Sequence, residues 1–212
     1  MLLLAYIGRF FHGLAPQPRV ESVASYAKIK RFFSRTDKGV NAVANPVEAE
    51  RFYSDFAFTW GYAEGMPSRK EYRYYINMRE KLEEFITLIP NRIDSRSLTS
   101  RPRKKYQELE IFITDEYVSF SASGFESYAI RRIIGYFLWW LKGKMSDKEV
   151  EDSLRGFRII YPPNAPPEPL VLWRTDVEED PYGERGAVEA FISSRAKLFS
   201  SIKLASLKLL RN

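Results

Sequence analysis

The chain has 212 residues, 45% hydrophobic and 15% aromatic, enough for one large domain or two small halves around a sizeable core. Thirty-three Lys and Arg stand against 27 Asp and Glu, and the formal charge of +6 favours anionic partners, nucleic acid before acidic membrane. Cys is absent and His12 is the only histidine, which excludes disulfides, thiolate catalysis, Cys-ligated zinc and multi-His metal sites; carboxylates, Arg, Lys, Tyr or Ser must carry any catalysis.

The apolar opening MLLLAYIGRFF is too short to span a bilayer, lacks a basic n-region and shows no cleavage site, so a soluble, cytoplasmic protein is expected. Residues 2–9 read as a buried strand, after which Pro16 and Pro18 break the chain. Over 20–33 the apolar residues Val23, Tyr26, Ala27, Phe32 and Phe33 recur at helical spacing, and Glu21 or Ser22 can start a helix. SRTDKGVNA (34–42) follows, with Asp-Lys-Gly as ordinary turn chemistry; a solvated turn competes here with a functional loop. The quiet run 43–47 carries no assigned element.

FAFTWGYA (56–63) reads as a buried strand, and EYRYYI (71–76) alternates aromatic and polar as a strand does. Residues 78–89 form an amphipathic helix with Leu82, Phe85, Ile86 and Ile89 on one stripe. The Ser-rich link 95–105 carries Arg96, Arg101, Arg103, Lys104 and Lys105, which track phosphates or form a solvated charge run. Residues 107–114 and 117–123 make a hairpin across Asp115-Glu116. A strongly apolar helix over 127–141 bears Arg131 and Arg132, and Ser146 with Glu149 forms the capping box of a shorter one. A Pro-rich loop at 162–169 leads to a strand over 170–177. From Glu184 onward aliphatic residues, including Val188, Phe191, Ile192, Leu198, Ile202, Leu204, Leu207 and Leu210, alternate with Lys and Arg at helical spacing. The fold class is α+β.

Four segments in this order, YIGRFFHGLAPQP (6–18), SRTDKGVNA, EYRYYI and GFESYAIRRIIGYFL (124–138), resemble the TruA family of tRNA pseudouridine synthases. SRTDKGVNA is similar to that family's catalytic G-R-T-D-x-G-V-H-A, EYRYYI to its R-Y-R-Y strand, and the last segment to its helix with V-R-x-I-V-G. APPEPLVL (165–172) resembles the closing A-P-P-x-G-L-x-L, so the likeness runs from Tyr6 to Val177.

The resemblance implies a pseudouridine-synthase fold: two related halves, each an antiparallel sheet backed by helices, with the active-site cleft between them. The halves are expected at 1–94 and 95–177, with 178–212 as a helical tail that packs on a partner subunit or lies along RNA. It implies an isomerase without cofactor or metal, a homodimer acting on uridines at the 3′ side of the tRNA anticodon stem-loop. Asp37 matches the nucleophile, attacking either ribose or ring; Arg131 matches the arginine that pairs with it; Tyr72 matches the tyrosine that stacks on the target base. A carboxylate suits the first role because it can add covalently and leave again. Arg35 matches the arginine that fills the gap left by the flipped nucleotide, while Thr36 and Lys38 lie within the same RNA-facing loop as Gly39. The ordinary alternatives are core packing for Tyr72, and snorkelling for one of the adjacent arginines, a role assigned to Arg132.

The chain departs from the family at Asn41, where a His is usual, at Ile7, where an acid is usual, at Glu71 in place of an arginine, and at Pro169 in place of a glycine. Segments before Ser34, between Ala63 and Tyr72, and between Phe85 and Ser97 are contracted. A catalytically silent RNA-binding protein is the first alternative function, and a membrane-surface protein using the C-terminal helix is the second.

Overall fold

The computed structural model describes the backbone of residues 1–209 and the side chains of residues 1–200. The tail positions Ile202, Leu204 and Leu207 therefore lie outside the described side chains, and Leu210 lies outside the described residues. In chain order the elements are β1 (Leu2–Tyr6), α1 (Val23–Tyr26), β2 (Arg31–Phe32), β3 (Asn41–Glu48), β4 (Ala57–Glu64) and β5 (Lys70–Tyr75). Then come α2 (Arg79–Ile86), β6 (Ile93–Asp94), β7 (Tyr106–Gln107), β8 (Glu110–Ile113), β9 (Tyr117–Ala122), α3 (Ala129–Leu141) and α4 (Asp147–Leu154). β10 (Leu170–Thr175), β11 (Glu178–Pro181) and α5 (Arg185–Leu209) close the chain. The fold is α+β. Among the described residues no helix is long and apolar enough to cross a membrane.

Contacts divide the chain into Met1–Ile76 with Pro167–Asn212, and Asn77–Pro166. These units differ from the sequential split at 94 and 177. The reason is that β10 returns to pair with β3 and β5, which ties everything after Pro166 to the opening strands.

Through the first unit the strands run β11-β4-β1-β3-β10-β5, with β2 also on β3. β1 is antiparallel to β3, with Leu4 opposite Asn45, and to β4 on its other side. β10 is antiparallel to β5, with Leu172 opposite Tyr72, yet parallel to β3. That parallel pair corrects the expectation of purely antiparallel sheets. Since β10 and β3 are joined by a long excursion and not by a hairpin, no tight turn dictates their direction.

β3 filled the run that carried no assignment in the sequence. Every residue in it except Glu48 is buried, so neither face is polar and period-two alternation vanishes. Pro46 lowers its strand signal further. α5 covers the sheet with Val188, Ile192 and Ala196, buried at four-residue spacing.

The helix expected over 20–33 shrinks to α1. Ser22 caps it as expected, its hydroxyl accepting from Ser25 N–H at 3.1 Å, but Lys28 adopts a left-handed φ of 50°. Pairing then overrides helical spacing, and Phe32 joins β2 opposite Val47.

In the second unit α2 packs on α3 through Phe85 and Phe137, whose ring centroids are 5.4 Å apart. Burying each ring contributes about 1.5–3 kcal/mol. Tyr136 links α3 to α4 through its hydroxyl, 2.7 Å from Ser153 Oγ. The hairpin β8–β9 is closed by Thr114 Oγ1, which accepts from Tyr117 N–H at 3.0 Å. The capping box is complete, with Ser146 Oγ accepting from Glu149 N–H at 3.3 Å and Glu149 accepting from Ser146 N–H at 3.0 Å.

Candidate functional site

The loop between β2 and β3 holds Arg35, Thr36, Asp37 and Lys38. The turn expected there is present. Val40 N–H donates to the Asp37 carbonyl at 3.2 Å, and Gly39 sits at φ +84° as the third residue of that turn. Positive φ there favours glycine, and a Cβ would also come within 2.7 Å of Pro167 Cγ. Asp37 is half-buried in consequence, while Arg35 and Lys38 on either side are exposed.

Tyr72 rises from β5 beneath this loop and is buried. Its hydroxyl donates to the Arg35 carbonyl at 3.3 Å. Burial pushes the Tyr72 phenol up, and the neighbouring Tyr6 hydroxyl and Asp37 carboxylate push it further. The first unit thus brings Asp37 and Tyr72 together, and Tyr72 is a neutral phenol at physiological pH.

Arg35 holds its guanidinium 6.0 Å from the centroid of the Phe32 ring. Lys38 donates from Nζ to His12 Nε2 at 3.2 Å, which requires that nitrogen of the imidazole to be unprotonated. Thr36 Oγ1 lies 2.8 Å from the hydroxyl of Tyr6, a residue of β1 that is fully buried. Burial pushes the Tyr6 hydroxyl up to about 12.

Asn41 takes part structurally: its Oδ1 accepts from Gly8 N–H at 2.9 Å and its Nδ2 donates to the Glu168 carbonyl at 2.7 Å. Glu71, where the family has an arginine, is buried between two cations. It accepts from Arg73 Nε at 2.9 Å and from Arg174 Nε at 2.6 Å.

Arg131 belongs to the second unit, near the start of α3. Its Nε donates to the Ala165 carbonyl at 2.8 Å, its own carbonyl accepts from Ala165 N–H at 2.9 Å, and its guanidinium lies 5.6 Å from the Tyr128 ring centroid. Tyr128 has a left-handed φ of 63°, an uncommon conformation for an aromatic residue, and this turns its ring towards the helix start. Arg132, expected to snorkel, is half-buried. Its Nη1 donates to the Pro162 carbonyl, its guanidinium lies 5.3 Å from the Tyr161 ring centroid, and its Nε is buried without a partner. Desolvation holds its pKa below the usual arginine range. The nearby Pro-rich loop offers carbonyls closer than solvent does.

The basic link is organised by a residue the sequence reading passed over. Glu126 is buried, and its carboxylate accepts from the backbone N–H of Arg103 at 3.1 Å and of Lys104 at 3.0 Å. Arg103 Nε also lies 3.5 Å from it, and Lys104 Nζ donates to the Gly124 carbonyl at 3.0 Å. Lys105 sits 5.2 Å from the Tyr106 ring centroid, and Arg101 is exposed. The Glu126 carboxylate therefore anchors the backbone of this cationic loop, whose Arg101, Arg103, Lys104 and Lys105 are exposed.

The first unit also carries a groove of about 810 Å³ walled by Phe10, Phe56, Phe58 and Phe191, and neither Asp37 nor Tyr72 lines it. Tyr6, Asn45 and Glu126 were given no role because a single residue within an apolar or aromatic stretch is a weak signal, although Tyr6 stands in YIGRFFHGLAPQP and Glu126 in GFESYAIRRIIGYFL.

Compared with known proteins, the chain matches no family model and no curated protein.

Proposed function

We propose that this chain is a tRNA pseudouridine synthase that uses Asp37 as its nucleophile and needs no cofactor. One observation carries the reading. A carboxylate on a rigid glycine turn stands beside a buried, neutral phenol, within the motif SRTDKGVNA that resembles a catalytic aspartate loop.

In this reading Asp37 adds to the ribose or to the uracil ring, and the N1–C1′ bond breaks. The base turns, C5 bonds to C1′, the bond to Asp37 breaks so that the carboxylate is released, the C5 proton is lost and N1 gains one, so the net change is an isomerisation. Tyr72, its phenol pushed up by burial, stacks on the base and donates; it is not the base that removes the proton at neutral pH. Stacking of this kind contributes about 1–3 kcal/mol per base. By the resemblance of its helix, Arg131 is the proposed counter-ion for Asp37. Arg35, exposed at the rim of the loop, occupies the gap left by the extruded uridine. Arg101, Arg103, Lys104 and Lys105 contact phosphates. The proposed setting is a cytoplasmic homodimer with tRNA as partner, organised as the pseudouridine-synthase fold.

The test is incubation of purified protein with unmodified tRNA, followed by carbodiimide mapping of pseudouridine. Wild type forms it in the anticodon stem-loop, and Asp37→Asn abolishes product while tRNA binding persists, because phosphate contacts dominate affinity. Product formation by Asp37→Asn refutes the nucleophile assignment. Binding without any product from wild type leaves a silent RNA-binding protein.

A further inference from the structure

Five successive backbone carbonyls, from Phe33 to Asp37, each have their own donor. Phe33 O accepts from Lys70 Nζ at 3.0 Å, Ser34 O from Asn45 Nδ2 at 3.0 Å, and Arg35 O from Tyr72 at 3.3 Å. Thr36 O accepts from Leu14 N–H at 3.2 Å and Asp37 O from Val40 N–H at 3.2 Å. Three of these donors are side chains rising from strands β3 and β5. An irregular loop needs no such escort to be satisfied, since exposed carbonyls can bond to water.

Two of the residues beneath the loop are fully buried and out of reach of any substrate, namely Asn45 and Tyr6. Their own atoms are linked, with Asn45 Nδ2 3.4 Å from the Tyr6 hydroxyl, which in turn lies 2.8 Å from Thr36 Oγ1. The arrangement is poor for stability. Among the described residues Asn45 Oδ1 and Ser34 Oγ are buried without partners, a cost that the strand accepts at this position. A polar group kept in a strand interior against its packing interest points to a duty elsewhere.

We infer that Asn45 and Tyr6 are positioning residues: Asn45 holds the Ser34 carbonyl and Tyr6 the Thr36 side chain, and together they aim the Asp37 carboxylate. This deepens the proposed function and rests on it for its catalytic consequence. Misplacing a reacting group by about 1 Å can lower the rate roughly hundredfold.

The test uses Asn45→Leu, Tyr6→Phe, Thr36→Val and the double variant Tyr6→Phe/Thr36→Val in the full chain. The first readout is amide hydrogen exchange, which needs no tRNA. Exchange of the Leu14 and Val40 amides, which donate to the loop carbonyls of Thr36 and Asp37, speeds up at least tenfold in Asn45→Leu and in Tyr6→Phe, a loss on the order of one hydrogen bond, while the strand amides of the first unit keep their protection. The second readout is single-turnover pseudouridine formation. The rate falls by about ten- to a hundredfold at unchanged tRNA affinity. The double variant is no slower than the worse single one, because Tyr6 and Thr36 share one bond. Unchanged loop exchange overturns the inference, and so does a uniform loss of protection across the unit, which marks both residues as plain core. If Asn45→Leu fails to fold, Tyr6→Phe, which keeps the ring, decides alone. If wild type makes no pseudouridine, the functional reading falls while the exchange data still judge the positioning role.

Discussion

Replacing Gly135 by alanine probes how closely α3 approaches the Pro-rich loop that holds both of its arginines. A Cβ at Gly135 would stand 2.2 Å from the Pro163 carbonyl oxygen, so helix and loop must separate by about 1 Å to reach ordinary contact. The loop is poorly placed to yield. Ala165 N–H is bound to the Arg131 carbonyl at 2.9 Å, Ala165 O to Arg131 Nε at 2.8 Å, and Pro162 O to Arg132. Overpacking of this kind costs about 1–3 kcal/mol. Weakening one charge-assisted bond adds about 1.5–3 kcal/mol. The better helix propensity of alanine returns only about 1 kcal/mol. The expected net loss is about 1.5–5 kcal/mol for the second unit. Urea denaturation measures it in a Trp60→Phe/Trp173→Phe background, where Trp139 and Trp140 on α3 report that unit alone. A Gly135→Ala protein as stable as its parent, or more so, refutes the close approach and the anchoring of Arg131 that depends on it.

Alkaline pH gives a second expectation. The Tyr6 hydroxyl titrates at about 12 in the folded chain, against 10.0 for the ordinary group. The folded state therefore holds its proton longer than the unfolded chain. The stability this represents is intact below pH 10 and is lost as pH rises towards 12, up to about 2.7 kcal/mol at 1.36 kcal/mol per pKa unit. Melting temperatures from pH 8 to 11 fall more steeply for wild type than for Tyr6→Phe; parallel curves contradict the burial of that phenol. A third concerns Glu126→Ala, which removes the buried carboxylate that accepts from the part-buried amides of Arg103 and Lys104. It costs about 2–4 kcal/mol and exposes the 101–105 segment to trypsin, while Glu126→Gln, retaining one acceptor, is milder. Equal trypsin sensitivity in all three proteins ends that account.

Much of the local structure could be read from the residues. β4, β5, the β8–β9 hairpin, α2, α3 and α5 fall within a few residues of where periodicity puts them, and the Ser146 capping box is complete. These elements have one apolar and one polar face, so their pattern is written in the chain. The Asp37 turn was legible for a different reason, since Gly39 and its neighbours are chosen by backbone geometry that acts over four residues.

What the pattern could not carry was everything imposed from a distance. β3 has no polar face because the sheet buries it on both sides, and α1 stops early because Phe32 finds a better partner in Val47. Arg132 binds the Pro162 carbonyl, although thirty residues separate them. The direction of β10 beside β3, and with it the assignment of the chain ends to one unit, depends on pairing between strands more than a hundred residues apart. Composition and short-range spacing encode which side chains prefer burial and which backbone bends are allowed. They do not encode which buried surface each will meet, because that is decided by the lowest free energy of all the long-range pairings together.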